Sequence, residues 1–441
     1  MNRIIYKGFA VAFVALTLTA CAGRKTYERP NVVNEKLFRT DNIPTDSLSS
    51  ANVSWRNIFT DATLQGHINK ALSNNLDVRV AMQNVASAQA YLKQSKAAFI
   101  PTLAAQANYT RATSSINAMG GVGERTYGNL WDLTGSASWE ADIWGKLSAQ
   151  KRASYASYLA TVEAQKAVQS EVVATLATAY YQLLMLDKQK KVLEQTIDFR
   201  QKSLETTKHL KEAGSTTEVA TKQIEALVYN AQAQLISIKN NVWALENTIC
   251  VLLGEEPHTI ERTTLAEQNF PTEFKQGYAA KLLQNRPDVA RAELSLRNAF
   301  EMTNVARAAF YPTLTLSARG GFSSTELDTW ISAKSIFANF VAGLAQPILN
   351  GRQIRTQYEV RQIEQETALL NFKKVILSAG KEVADAMQNF SNQTEFIELK
   401  NKEMKAYQEA TDYSKQLFDS GMVNYLEVIT AEVNRLNAEL S

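Results

Sequence analysis

A chain of 441 residues, 45% hydrophobic and 21% charged, is long enough for two or three packed units with buried cores. Its formal net charge is +3, and setting aside the two basic residues of the leader leaves 45 basic against 44 acidic groups, or +1, which carries no electrostatic footprint for nucleic acid. His67, His209 and His258 lack metal-ligand spacing, and no G-x-S-x-G elbow or P-loop is present, so the residues make no case for an enzyme or a resident metal.

Arg3 and Lys7 flank a 13-residue apolar run, Gly8–Ala20. The run is too short to span a membrane and has the basic flank of an export signal, so residues 1–20 read as a signal peptide. It ends in Leu18-Thr19-Ala20-Cys21, which resembles the bacterial lipobox. Cleavage and acylation at Cys21 are expected, with that covalent lipid the sole attached group and no other cofactor. Ala22, where an aspartate would resemble an inner-membrane retention signal, favours the outer membrane. Residues 21–60 then form a lipidated N-terminal segment. Cys250 in NTICVLLG is the remaining cysteine, so no internal disulfide forms, and it reads as a buried apolar residue.

The first long unit runs from 61 to 253. Asp61–Ala98 has a helical pattern and is expected as one helix, stopped by Pro101. From Leu103 the period changes to two: Leu103, Ala105, Ala107 and Tyr109 alternate with polar or small neighbours, predicting a strand at about 101–112. A loop with Gly120, Gly121 and Gly123 leads to a second strand at about 132–143, where Leu133, Gly135, Ala137, Trp139, Ala141 and Ile143 alternate with Thr134, Ser136, Ser138, Glu140 and Asp142. Lys146–Ala213 contains neither proline nor glycine. Its seam of Val168, Val172, Leu176, Tyr180, Leu183, Leu186, Leu193, Ile197 and Leu204 predicts one helix over 146–213, roughly 100 Å long at about 1.5 Å per residue. Gly214 ends it, Ser215-Thr216-Thr217-Glu218 has capping-box spacing, and a helix over 217–253 follows.

A connector at 254–275 precedes a second unit, 276–441, with the same order of elements. It has a helix, strands at about 312–322 and 337–347, a long helix over 352–420, a turn at Gly421 and a shorter helix over 423–441. Asn424 and Glu427 have N-cap spacing at its start. AAFIPTL at Ala97–Leu103 returns as AAFYPTL at Ala308–Leu314. Asp77 matches Asp288, Pro101 matches Pro312, Gly145 matches Gly351 and Gly214 matches Gly421. The duplication is therefore one of topology. Each strand has transmembrane length and one apolar face, yet four strands cannot close a barrel, and lipid tolerates no open sheet edge. The expected fold is mainly α: duplicated long helical hairpins plus four membrane strands per chain, completing a 12-stranded barrel in a homotrimer. Tyr109, Trp131, Trp139 and Trp144 would form its interfacial aromatic belt.

Several stretches carry a wider resemblance: Trp55 to Asp61 before Leu64, Asn75-Leu76-Asp77, Trp139-Glu140-Ala141-Asp142-Ile143-Trp144-Gly145, Arg286-Pro287-Asp288-Val289, the second AAFYPTL, and Gln346-Pro347-Ile348-Leu349-Asn350-Gly351. In this order they resemble the TolC-like outer-membrane efflux proteins, in particular the lipoprotein outer-membrane factors of resistance–nodulation–division pumps. The resemblance implies a homotrimeric barrel over a periplasmic helical tunnel, docked by a periplasmic adaptor and driven by an inner-membrane pump of that class. It would act as the passive exit duct for drugs or other small toxic compounds. It places the adaptor contact at the turns holding Gly214, Ser215, Thr216, Gly421, Met422 and Val423. The family pattern has a pore-facing aspartate where Thr430 stands here. Glu427, one turn away, is the alternative gate carboxylate, and it reads equally well as a helix-capping acid.

Two alternatives remain open from the residues alone. One is a type I protein-secretion channel. The other is a lipid-anchored periplasmic coiled-coil scaffold, which leaves the alternating strands unexplained. The last 20 residues after Gly421, against 39 from Gly214 to Leu253, predict a final helix short of its counterpart, with an apolar groove left on its neighbours.

Overall fold

The computed structural model describes residues 26–32, 53–117, 124–269 and 285–440. The leader, Cys21 and the glycines at 120, 121 and 123 lie outside these residues, as does part of the expected connector. Besides a single turn at Trp55–Ile58, the helices are α1 (Ala62–Asn74), α2 (Leu76–Ala97), α3 (Lys146–Glu212), α4 (Glu218–Leu253), α5 (Pro287–Ala308), α6 (Gln353–Asp419) and α7 (Tyr425–Leu440). The strands are β1 (Thr102–Thr113), β2 (Tyr127–Ala141), β3 (Thr313–Ser324) and β4 (Ile336–Ala345). Two units divide the chain, and α3 and α6, 67 residues each, run through both.

The unit containing residues 84–163 and 290–375 holds one antiparallel sheet in the order β1-β2-β3-β4. Pro101 and Pro312 directly precede β1 and β3, where their fixed φ and missing N–H stop a helix and start an extended run. Indole N–H groups then satisfy carbonyls beside those junctions: Trp139 donates to Phe99 O at 2.9 Å and Trp144 to Pro312 O at 2.7 Å. Strand β2 ends at Ala141, short of the expected 143, because Asp142 is taken up in starting α3. Its carboxylate accepts from Leu147 N at 2.8 Å and Ser148 N at 2.9 Å. Strand β4 ends at Ala345, short of the expected 347, since Pro347 has no N–H for the ladder. Beside the sheet, Arg152 grips the buried Glu301 with two bonds of 2.7 and 2.8 Å, joining α3 to α5. The stretch 26–32 lies on α5 through Arg29–Glu293 at 2.9 Å and the edge-on rings of Tyr27 and Phe300.

The other unit has its apolar core where α1, α3 and the end of α4 meet. Leu64, Ile68, Leu176, Tyr180, Leu183, Ile249 and Cys250 are fully buried there. Asp61 organises this meeting. One carboxylate oxygen caps α1 through Thr63 N and Leu64 N, and the other accepts from Tyr180 OH (2.8 Å), Thr263 Oγ1 (2.5 Å) and Gln268 Nε2 (2.9 Å). Burial opposes the charge, but the bonds from Thr263, Gln268 and Tyr180 outweigh it and hold the carboxyl down at about 2. The unfolded value is about 3.9. The group's stabilising share is therefore complete above about pH 4 and disappears as pH falls through about 2. Asp61→Asn is expected to flatten the acid limb of the unfolding curve between those values, and acid titration followed by circular dichroism checks it.

One helix over Asp61–Ala98 was expected; the structure has two, broken at Asn75. The break has a polar cause. Asn75 Oδ1 accepts from Asp77 N and Val78 N at 2.9 and 3.1 Å, capping α2, while its amide donates to Leu252 O at 3.0 Å near the end of α4. Gly254 closes α4 in the left-handed region, φ +71°, with Glu255 N bonded to Cys250 O. Past it, Arg262 binds Asp187 of α3 and Glu246 of α4 at 2.5 and 2.6 Å, pinning the connector to both helices.

The predicted seam of α3 also shifts. Val172, Leu176, Tyr180, Leu183 and Leu193 are buried, but beyond Leu193 the buried positions are Thr196, Arg200, Ser203 and Thr207, with Ile197 and Leu204 only half-buried. Three of these are hydroxyls, and the threonines bond the carbonyl four residues back. Arg200 donates to Leu227 O at 2.7 Å. The buried face of α3 thus changes from apolar to polar along its length.

Candidate functional site

Two features stand out: the faces of the sheet and the two helix-ending turns. The registers Thr102↔Ser138, Ser136↔Arg319 and Arg319↔Asn339 place every second residue of the four strands on a common side. One side carries Gln106, Asn108, Asp132, Thr134, Ser136, Glu140, Ser317, Arg319 and Asn339. The opposite side carries Leu103, Trp131, Leu133, Trp139, Leu314, Leu316, Phe322, Phe340 and Leu344. Leu103, Phe340 and Leu344 are each more than 65% exposed, so at these positions the apolar side has no cover among the described residues. Aromatic groups mark both ends of it. Tyr109, Trp131 and Trp330 cluster at one end, with successive centroid distances of 4.3 and 5.7 Å. Trp139 lies at the other end, near Trp144, which stacks on Tyr311. Trp131 and Trp139 are eight residues apart on β2, about 27 Å along an antiparallel strand, which is the scale of an outer-membrane apolar band once tilt is allowed for. No helix among the described residues is long and apolar enough to cross a membrane.

The two turns are built alike. Gly214 and Gly421 have φ +74° and +72°. Ser215 N bonds Leu210 O and Met422 N bonds Leu417 O, the six-residue closure that a left-handed glycine permits. The capping box expected from Ser215 is displaced by two residues: Thr217 caps α4, accepting from Ala220 N. Glu218 is bonded to Lys211 across the turn, which lowers its pKa. Thr216 and Val423 are half-buried, while Gly214, Ser215, Gly421 and Met422 are exposed. In the second turn Asn424 caps α7 through Leu426 N at 2.9 Å, and Glu427 uses its own N–H on Asn424 O. The side chains of Glu427 and Thr430 are exposed, while Val428 and Ile429 beside them are buried. Tyr425 turns inward against Ser203, and burial pushes its hydroxyl pKa up.

The family model described as "Outer membrane efflux protein" matches residues 67–255 and 279–441. This chain belongs to that family. Its similarity extends over nearly full length to CusC of Escherichia coli strain K12, named a cation efflux system protein, at 27% identity, covering 95% of this chain and 91% of CusC. It is also similar to SilC of Salmonella typhimurium, named a probable outer membrane lipoprotein, at 27% identity, covering 92% of this chain and 87% of SilC. A crystal structure of CusC superposes with a TM-score of 0.84 at 25% identity, covering 94% of each chain. The protein is thus an outer-membrane channel component.

Sequence reading missed Asn75, the Asp61 network and the Arg262 bridge. Asn75 carried a legible signal, an N-cap residue with an acid two positions on, in Asn-Leu-Asp. The Asp61 bonds to Tyr180, Thr263 and Gln268 and the Arg262–Asp187 bond join residues at least 75 positions apart, and local pattern holds no trace of such pairings.

Proposed function

We propose that three copies of this chain close one 12-stranded barrel and serve as the exit duct of a tripartite efflux pump for small toxic compounds. The observation that carries this reading is the open sheet. Among the described residues, strands β1 and β4 each have one unpaired edge. Alternate residues point their backbone groups outward, so each edge leaves about five or six N–H groups and as many carbonyls unbonded. In hydrocarbon each costs several kcal/mol, and the sum exceeds the ~5–15 kcal/mol that stabilises a folded protein. Other copies must supply the missing strands, and three make the count twelve.

In this assembly Cys21 carries the lipid, a role that SilC's name as a lipoprotein supports. The helical unit serves in the periplasm. The turns at Gly214, Ser215 and Thr216 and at Gly421, Met422 and Val423 offer the adaptor contact, with the Met422 side chain 73% exposed. Glu427 and Thr430, on exposed positions of α7, are the gate residues; three copies of Glu427 form a carboxylate ring that favours cations. An inner-membrane pump of the resistance–nodulation–division class supplies the driving force.

The test is assembly together with export. Detergent-purified protein should have the mass of three copies and give discrete conductance steps in a planar bilayer. Met422→Asp should keep both and abolish the resistance that the complete pump confers on cells. A stable single copy without conductance would overturn the duct, and a Met422→Asp pump with undiminished resistance would remove the tip assignment.

A further inference from the structure

The four strands carry four charged residues: Arg111, Asp132, Glu140 and Arg319. The register separates them by face. Arg111 pairs with Asn129 on the apolar side, where its guanidinium lies over the Tyr127 ring at the aromatic end. Asp132, Glu140 and Arg319 lie on the polar side. Glu140 is neutralised by Lys146 at 3.0 Å. Asp132 stands four residues from Ser136, the residue opposite Arg319, a separation of about 13 Å along the strand. That exceeds the ~10 Å screening length at 0.1 M salt. Arg319 has no ion-pair partner among the described residues: its guanidinium is spread over the Phe337 ring at 5.7 Å, and its lateral neighbours Ser136 and Asn339 are neutral. The residue is exposed. An unneutralised cation halfway along the polar face of a membrane strand has one environment that tolerates it, the water-filled interior.

We infer that Arg319 sets the charge preference of the barrel: three copies form a ring of guanidinium groups that favours anionic solutes over cationic ones. The inference rests on the three-copy barrel proposed above and adds to it a residue and a solute class. Phe337 and Val341, which share the polar side with Arg319, give the ring an apolar rim. Solutes that combine an anionic group with an aromatic or alkyl body match that surface best.

Reversal potentials in planar bilayers under a tenfold potassium chloride gradient test the ring. The proposed Glu427 ring lies in series and favours potassium, so the test reads the change in the chloride-to-potassium ratio from its wild-type value. Arg319→Gln should lower the chloride-to-potassium permeability ratio about twofold and Arg319→Glu should lower it further, both effects fading at 1 M salt. Arg319→Lys should keep the ratio near wild type, which separates charge from packing even if Arg319→Glu does not insert. Arg111→Gln, on the lipid side, should leave it unchanged. Conducting Arg319→Gln channels with the wild-type reversal potential would overturn the ring and leave the duct standing. A shift with Arg111→Gln alone would reverse the two faces and overturn it as well. Three-copy wild-type protein that inserts without conducting would instead remove the duct reading beneath it.

Discussion

Gly254→Ala is expected to destabilise the protein by about 2–4 kcal/mol, far more than Gly214→Ala. Both glycines have a left-handed φ, which costs a residue with a Cβ about 1–2 kcal/mol. They differ in surroundings. A Cβ on Gly214 meets nothing within 4 Å, whereas one on Gly254 would stand 2.7 Å from Asn74 O and 3.2 Å from Asn74 C. Those atoms are backbone at the end of α1, directly before the capping Asn75, so they cannot swing aside as a side chain would. The substitution therefore drives α1 off the end of α4 and loosens the core around Leu253. Urea unfolding of the detergent-solubilised protein measures both variants. Equal losses would mean that φ alone governs Gly254, and that the close approach of Asn74 contributes nothing.

Arg262→Leu is expected to cost about 3–5 kcal/mol, the range for a buried ion pair that loses one partner. Burial lowers the basicity of Arg262, yet the carboxylates of Asp187 and Glu246 reverse that effect and raise it. Their side chains differ in access: Glu246 is 10% exposed and Asp187 is 35% exposed. Removing the arginine leaves Glu246 charged with little water, while Asp187 can rehydrate. Adding Glu246→Leu to Arg262→Leu should restore part of the loss, and adding Asp187→Leu should restore less. A double-mutant cycle on unfolding free energies checks the order. A loss below about 1 kcal/mol for Arg262→Leu would place the bridge with surface pairs.

What could be read from sequence was local and periodic. Pro101 and Pro312 stand at the changes from helix to strand because a residue without an N–H ends one kind of ladder wherever it occurs. The alternation through Leu133 to Ala141 lies within β2, which begins five residues before the expected 132, and Gly214 and Gly421 take the left-handed geometry that their positions after long helices called for. The illegible parts depended on contacts distant in sequence. The period of α3 remains helical past Leu193, but the buried positions are Thr196, Arg200, Ser203 and Thr207 while Ile197 and Leu204 are half-buried, and Arg200 bonds Leu227 O from α4. Phe337 and Val341 fall on the polar side of β4, so alternation alone blurred that strand, and its pairing with β3 resolves it. The isolation of Arg319 likewise needed the register, since sequence distance to Asp132 and Glu140 says nothing about which strand lies beside which.

The bare borders of β1 and β4 constrain how the protein comes to rest in its membrane. A lone copy that entered lipid would arrive with two rows of thirsty amides, so entry cannot come first and meeting later. In the proposed three-copy barrel, encounter and insertion are expected to be one event. Its rate must rise steeply with the local supply of fresh chains, and a tether that confines newcomers to the membrane plane would speed it without touching the finished structure.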